Sequence, residues 1–410
     1  MSTLLGVDIG GTNIKIAAVS PGGRVLARGL IDTPADEGPA RAFRAIHAAA
    51  RTLAGTTGVA AVGIGCAGLI DARRGVLRES PNLPAWAGAP LAALARRYFS
   101  VPVTLENDAT SAAFGESFVR GARGKNLVAI TLGTGVGGGI VVDGSIVRGV
   151  SGFGGEIGHM TVDPNGPRCR CGSRGCLEAY AGSYGIVAAA RRAARARAGV
   201  RRPPATARAV LDAARAGDAV CKRAVRDVGE HLGIAVASVL DVLNPSVVVL
   251  AGGIAAAFDL LEPHLKRAVA AHAFAQTAAD AAIERSRLGN DAAVVGVALL
   301  AAGRVRTRRR RSGSRPAWDD IRCRRDPLTS DHASATWPCA PPRFSPRRPP
   351  PTGGPRNRPA RRTTSTSTPT AARCAAPAAK PSWNSSTTWS SCTATSPSTQ
   401  TTACPIRSSA

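Results

Sequence analysis

The chain has 410 residues and a formal net charge of +26. That length accommodates two lobes and an extension, and no apolar run is long enough to span a membrane. The charge is uneven: residues 306–410 hold 19 Lys and Arg against 4 Asp and Glu, more than half of the whole excess in the last quarter. The first three quarters are rich in Ala, Val, Leu, Ile and Gly and read as a globular α/β protein. The tail from 306 is rich in Arg, Pro, Ser and Thr and poor in aliphatics, so it cannot offset its ordering entropy by burial. It is expected to be disordered, or an out-of-frame translation of GC-rich DNA, rather than a nucleic-acid-binding arm. The ten cysteines split five and five with no even framework, and MSTLLGVDIGG lacks a basic segment ahead of a long apolar run. A cytoplasmic protein with no membrane partner is expected.

The first motif lies at the start. Leu4 to Ile9 is a short apolar strand ending in Asp8-Ile9-Gly10-Gly11-Thr12, and Ile14 to Val19 is the next strand. In such a hairpin, Gly10 and Gly11 let backbone N–H groups approach a phosphate chain, Thr12 adds a hydroxyl, and Lys15 can neutralise charge. Asp8, at a strand end, is placed to hold Mg²⁺ through water. A strand over 25–31 and a helix over 36–53 follow, then a buried-type strand over 60–66. Ser80 to Trp86 holds two prolines and reads as a rigid loop, in which Asn82 can meet a sugar hydroxyl. Trp86 either walls a pocket or packs inward. After a helix over 90–99 and a strand over 101–105 come Glu106-Asn107-Asp108. Asp108 fits two roles, a helix N-cap or a general base at a strand's carboxyl end.

Leu127 to Leu132 is a strand, Gly133 to Gly139 a second glycine-rich turn, and Ile140 to Val142 the strand after it. Strand, glycine turn, strand thus occurs twice, which suggests an internal duplication with both turns facing one cleft. Within 154–178, His159, Cys169, Cys171 and Cys176 supply one imidazole and three thiolates, the ligand set of a closed structural Zn²⁺ site. Glu156 and Glu178 flank it. Helices are expected over 183–198, 206–216 and 218–243, the last stopped by Asn244-Pro245. A strand over 246–250 leads to a third glycine turn at Gly252 and Gly253. Helices over 258–273 and 291–302 flank a short strand at 282–284.

Taken in order, D-I-G-G-T-N, E-N-D-A, L-G-T-G-V-G-G-G, G-E-I-G-H and C-x-C-G-x-x-G-C-L-E resemble the ROK family of kinases and repressors over residues 3–303. The resemblance implies a two-lobed, actin-like or hexokinase-like ATPase fold with a duplicated βββαβα core. One lobe would be 1–107, completed by the helix near 291–303, and the other 108–290 with the zinc loop 154–178. It implies ATP, Mg²⁺ and Zn²⁺ as cofactors. Phosphate contacts would come from Gly10, Gly11, Thr12, Gly133, Thr134 and Gly135, with Gly252 and Gly253 against the adenosine. Sugar contacts would come from Asn107, Asp108, Glu156, His159 and Glu178, with Asn82 a weaker candidate. His159 would bind zinc through one ring nitrogen and sugar through the other. The activity implied is ATP-dependent phosphorylation of a hexose, glucose first, with Asp108 as base. A small-molecule sugar and ATP are then the partners, in a homodimer or homotetramer. The alternatives are a kinase for N-acetylhexosamine, fructose or mannose, a polyphosphate donor, or a sugar-sensing regulator binding nucleic acid through the basic tail. Family regulators carry a helix-turn-helix ahead of the first motif, and seven residues precede Asp8, so the kinase is the expectation.

Overall fold

The strand β1 (Thr3–Ile9) is buried along nearly its whole length, and a strand apolar on both faces has to lie inside a sheet. The computed structural model describes residues 3–54, 58–196 and 202–311 and puts β1 at the centre of a five-stranded sheet. Its neighbours are β2 (Asn13–Val19), antiparallel, and β4 (Val59–Cys66), parallel. β3 (Val25–Asp32) and β7 (Val103–Asn107) are the edges, giving the order β3-β2-β1-β4-β7. β3 alternates half-buried and exposed residues, as an edge with one wet face must. The short hairpin β5 (Leu69–Asp71) and β6 (Val76–Glu79) stands apart from the sheet.

A second sheet repeats the pattern. β8 (Leu127–Leu132) is central, β9 (Val136–Val142) and β10 (Ser145–Ile146) are antiparallel on one side, and β11 (Val247–Ala251) and β12 (Ala282–Arg285) are parallel on the other. The order β10-β9-β8-β11-β12 copies that of the first sheet strand for strand. The glycine turns after β1 and β8 therefore occupy equivalent places, at the carboxyl ends of the parallel strands where open α/β sheets bind ligands.

Helices cover both sheets. α1 (Pro39–Ala54) starts three residues later than its pattern predicts, at a proline that suits a first helical turn. It buries Ala42, Phe43, Ile46 and Ala50 at helical spacing. Trp86 packs inward with its indole N–H donating to Ala35 O at 2.9 Å, so it is core and not a pocket wall. Against the second sheet lie α5 (Ser183–Arg195), α6 (Ala207–Arg215), α7 (Ala219–Leu243) and α8 (Phe258–His272). Asp218 caps α7, and Asn244 ends it in the left-handed conformation that asparagine tolerates. Arg191, Arg192 and Arg195 are exposed on α5, with Arg192 paired to Asp227; Arg197 lies outside the described residues.

Two helices change sides. α3 (Asp108–Arg120) follows a strand of the first sheet, yet Ala113 packs with Leu127, Ala129, Val141 and Val249 of the second. α10 (Ala292–Arg311) follows a strand of the second sheet, yet Val294, Val295, Ala298 and Leu299 pack with Leu4, Val19 and Ala61 of the first. The two helices meet where both sequences carry glycine. A Cβ on Gly296 would lie 1.7 Å from Ser111 O, and one on Gly115 only 2.7 Å from Ala292 O. Glu116, fully buried, accepts from Leu288 N at 2.9 Å and Arg287 N at 3.2 Å and also pairs with Arg120, which anchors the turn into α10. α10 runs on to Arg311, past the expected start of the tail at 306; the rest of that tail lies outside the described residues. No helix among the described residues is long and apolar enough to cross a membrane.

Candidate active site

Asn107 takes one of the two roles open to Asp108, the helix cap. Its Oδ1 accepts from Thr110 N at 2.9 Å, so Asn107 is the N-cap of α3 and Asp108 is the first helical residue. The cap reading of Asp108 is corrected: two adjacent residues competed for one position, and the one outside the helix took it. The Asn107 amide also donates to Gly68 O at 3.1 Å, leaving one amide hydrogen for other partners. The Asp108 carboxylate accepts from Ala109 N at 2.9 Å. Burial raises its pKa above the usual carboxylate range, against the lowering effect of backbone N–H groups at the helix start and of Lys15. Asp8 lies close enough to feel Asp108. Burial first, and that neighbouring charge second, push it up to about 6, although Lys15 Nζ sits 3.6 Å from its Oδ2.

A cleft beside Asn107 is lined by Gly68, by Leu69 and Ile70 of the β5–β6 hairpin and by Asn107 at the end of β7, and across from them by Gly138 of β9 and by Gly154 and Glu156 of the segment after β10. Burial raises the Glu156 carboxyl, His159 opposes this, and the charges of Asp108 and Glu178 add to it. Two further carboxylates and an imidazole are thus within electrostatic reach of Glu156. Glu156 Oε2 lies 4.0 Å from His159 Nε2.

The other face of His159 looks at sulfur. Its Nδ1 is 3.8 Å from Cys169 Sγ, and Cys171 Sγ is 3.7 Å from Cys176 Sγ. One donor atom from each of these four residues lies within 4.8 Å of the other three. Two thiolates each about 2.3 Å from a tetrahedral zinc are about 3.8 Å apart, so the spacing fits that ion. Gly172 and Gly175 both have positive φ, and a Cβ on Gly175 would overlap Asp163 O at 1.6 Å, so the sharp chain reversal between the last two cysteines demands glycine. Glu178 hangs from this loop at the start of α4 (Glu178–Ala181). Its Oε2 accepts from Val136 N at 3.0 Å and its Oε1 from Tyr184 OH at 3.3 Å.

The glycine turns are braced rather than loose. Thr33 bonds Gly10 O through its hydroxyl at 2.8 Å and Thr12 O through its N–H at 2.8 Å. Asn82 crosses directly over Gly11, whose Cβ would lie 2.8 Å from that of Asn82. Ser183 donates to Gly133 O from both its N–H and its hydroxyl. The second turn is shorter than expected: β9 begins at Val136, so Gly137, Gly138 and Gly139 are strand residues. They are glycine for lack of room. A Cβ on Gly139 would be 2.6 Å from that of Ala113, and one on Gly138 2.3 Å from Gly155 O. Gly252, with φ +86, turns the chain after β11 hard against Leu132 O, and Gly253 follows it.

With this geometry in hand, comparison with known proteins is decisive. Residues 4–304 match the ROK family. The chain belongs to the ROK family. It is 34% identical over 310 residues to a glucokinase of Thermotoga maritima, covering 74% of this chain and 98% of that one. A ROK family glucokinase from Streptomyces griseus, crystallised in complex with glucose and AMPPNP, is 32% identical and superposes with a TM-score of 0.64 over 74% of this chain and 100% of that one. A xylose repressor of Caldicellulosiruptor bescii is 30% identical over 247 residues, which span 61% of the repressor. The chain is a ROK sugar kinase.

Within this ROK kinase, three supporting residues escaped the sequence reading. Tyr184 links Glu178 to Cys169, its hydroxyl 3.6 Å from that sulfur. Thr33 and Ser183 fix the two glycine turns. Each is a single hydroxyl on an ordinary element, distant in sequence from what it holds, and periodicity carries no signal for such a contact.

Proposed function

We propose that the chain transfers the γ-phosphoryl group of ATP to the 6-hydroxyl of a hexose, glucose before others, with Asp108 as general base. The observation that carries this reading is the placement of Asp108. It is a half-buried carboxylate relieved of capping duty, at the carboxyl end of a parallel strand, next to Asn107, which lines a cleft that also holds Glu156. A primary alcohol is a poor nucleophile at neutral pH. Asp108 takes its proton as the oxygen attacks phosphorus, an effect worth roughly 10²–10⁴-fold, and its raised pKa makes it the stronger base. The bond to the bridging oxygen of ADP breaks, and ADP carries that electron pair away.

Glu156, Glu178 and His159 hold the sugar hydroxyls, with Asn107 contributing its remaining amide hydrogen and Asn82 reaching in from above Gly11. His159 would ligate zinc through Nδ1 together with Cys169, Cys171 and Cys176. That fixes its proton on Nε2, facing Glu156 and the sugar. The zinc would supply rigidity, since four protein ligands leave no open position. Backbone N–H groups at Gly10, Gly11, Thr12, Gly133, Thr134 and Gly135 receive the phosphates, and Gly252 and Gly253 border the adenosine. Asp8 would hold Mg²⁺ through water, and the ion would neutralise phosphate charge. Lys15 favours the ionised form of Asp8, against burial and the charge of Asp108.

A regulator that binds sugar without turning it over is the second reading, favoured by the similarity to the xylose repressor. A coupled phosphorylation assay over glucose, mannose, fructose and N-acetylhexosamines, with ATP and polyphosphate as donors, separates the two. The kinase reading expects turnover of glucose with ATP and the highest kcat/KM in that pairing. Binding of a hexose with no turnover by any donor would hand the site to the regulator.

A further inference from the structure

Glu106 is a buried carboxylate on β7, an edge strand of the first sheet. Its side chain is only 2% exposed, and a polar group so placed needs a bonding partner. The partner is Arg148, 42 residues further on, whose Nε lies 2.7 Å and Nη2 2.6 Å from Oε2. Oε1 accepts from Asn107 N at 3.2 Å. Glu106 sits on β7, in the first sheet, next to Asn107 and Asp108. Arg148 follows β10, at the edge of the second sheet, and opens the segment that ends in Glu156. Its carbonyl accepts from Gly154 N at 2.8 Å. Along the same segment, a Cβ on Gly152 would stand 3.2 Å from Ile70 O in the β5–β6 hairpin. The Gly154–Arg148 bond closes the segment on itself and Gly152 lies close to the hairpin, while the side-chain tie to the first sheet is the Arg148–Glu106 ion pair.

We propose that Arg148 is a positioning residue: its pair with Glu106 sets the separation between the halves of the sugar site, Asn107 and Asp108 on one side, Glu156 and His159 on the other. The proposal rests on the sugar-kinase reading above. A hexose must touch both halves at once to present its hydroxyl to Asp108. Loosening the pair penalises the bound hexose and leaves the nucleotide side, built on Gly10–Thr12 and Gly133–Gly135, as it is.

The test uses the full chain with two variants. Arg148→Lys keeps the charge and loses the planar fork that puts two N–H donors on one oxygen. The double variant Glu106→Gln with Arg148→Met removes both charges, so no buried carboxylate is left unpaired. The hexose Kd by titration calorimetry, KM for hexose and for ATP, and Tm are measured for each. The expected result is a rise of about five- to tenfold in hexose Kd and KM for the lysine variant and tenfold or more for the double variant, with KM for ATP within twofold of the parent. Hexose Kd and KM within twofold of the parent in both variants would overturn the proposal, even if Tm fell, and so would a parallel rise in KM for ATP. A parent chain that binds glucose without turnover would sink the kinase reading while the Kd values still judge Arg148. A parent that binds no hexose would sink both.

Discussion

Asp8 and Asp108 share one end of the first sheet, and each is a weaker acid than a carboxylate in water. For Asp108 the cause is burial; for Asp8 it is burial and then the charge of Asp108. The sign of the consequence is fixed. A base works only when ionised, so a raised pKa moves the loss of activity to higher pH than an exposed aspartate would. Hexose kcat/KM is predicted to be level between pH 7 and 8 and to fall as Asp8 takes up a proton, at about pH 6. A pH–rate profile flat down to pH 5 would contradict this. At this scale the sequence was half legible. The Glu106-Asn107-Asp108 string announced a polar group at a strand end, but the split of labour among three adjacent residues is decided by which carbonyl and which N–H each can reach. Asn107 caps, Asp108 opens the helix and accepts from Ala109 N, and Glu106 turns away to Arg148.

Among the elements, the loop that gathers His159 and the three cysteines was the plainest in the sequence, because four soft donors so close together stand out by residue type and spacing. What the spacing could not give is the use of the loop: Glu178 reaches from it to Val136 N, at the foot of the second glycine turn. The four-ligand loop and the second glycine turn are then mechanically joined. Cys176→Ser is predicted to lower bound zinc well below one per chain and to reduce hexose kcat/KM by about 10- to 100-fold, the range typical for losing metal-site support. Metal analysis paired with steady-state kinetics checks both, and full activity in a zinc-free variant would refute the coupling. The second glycine turn was legible only in part. Gly133 and Gly135 stand in the turn, but Gly137 to Gly139 belong to β9, where the contacts that forbid a side chain come from α3 and from Gly155. A run of glycines looks the same whether the backbone must bend or a neighbour must come close.

At the scale of the whole molecule, the duplication seen in two strand–glycine–strand motifs extends to two sheets of identical order. The exchange of α3 and α10 between them was only half visible. An apolar helix following Arg285 has to pack somewhere, but only the contacts at Gly115 and Gly296 say that the two exchanged helices cross each other. Because the first-sheet core closes with α10, and the family match ends at residue 304, a chain ending at Arg311 is predicted to keep hexose kcat/KM within twofold. A tenfold loss would give the last quarter of the chain a part in the chemistry.

The claim on which the rest depends is that both halves of the molecule converge on one hydroxyl held before Asp108. The most direct measurement is the kinetics and glucose calorimetry of Asp108→Asn, which preserves the size of the side chain and removes its basicity. Turnover is predicted to fall by about 10²–10⁴-fold with glucose Kd within a few-fold of the parent. Turnover within tenfold of the parent would contradict the assignment of the base and, with it, the reading of the cleft.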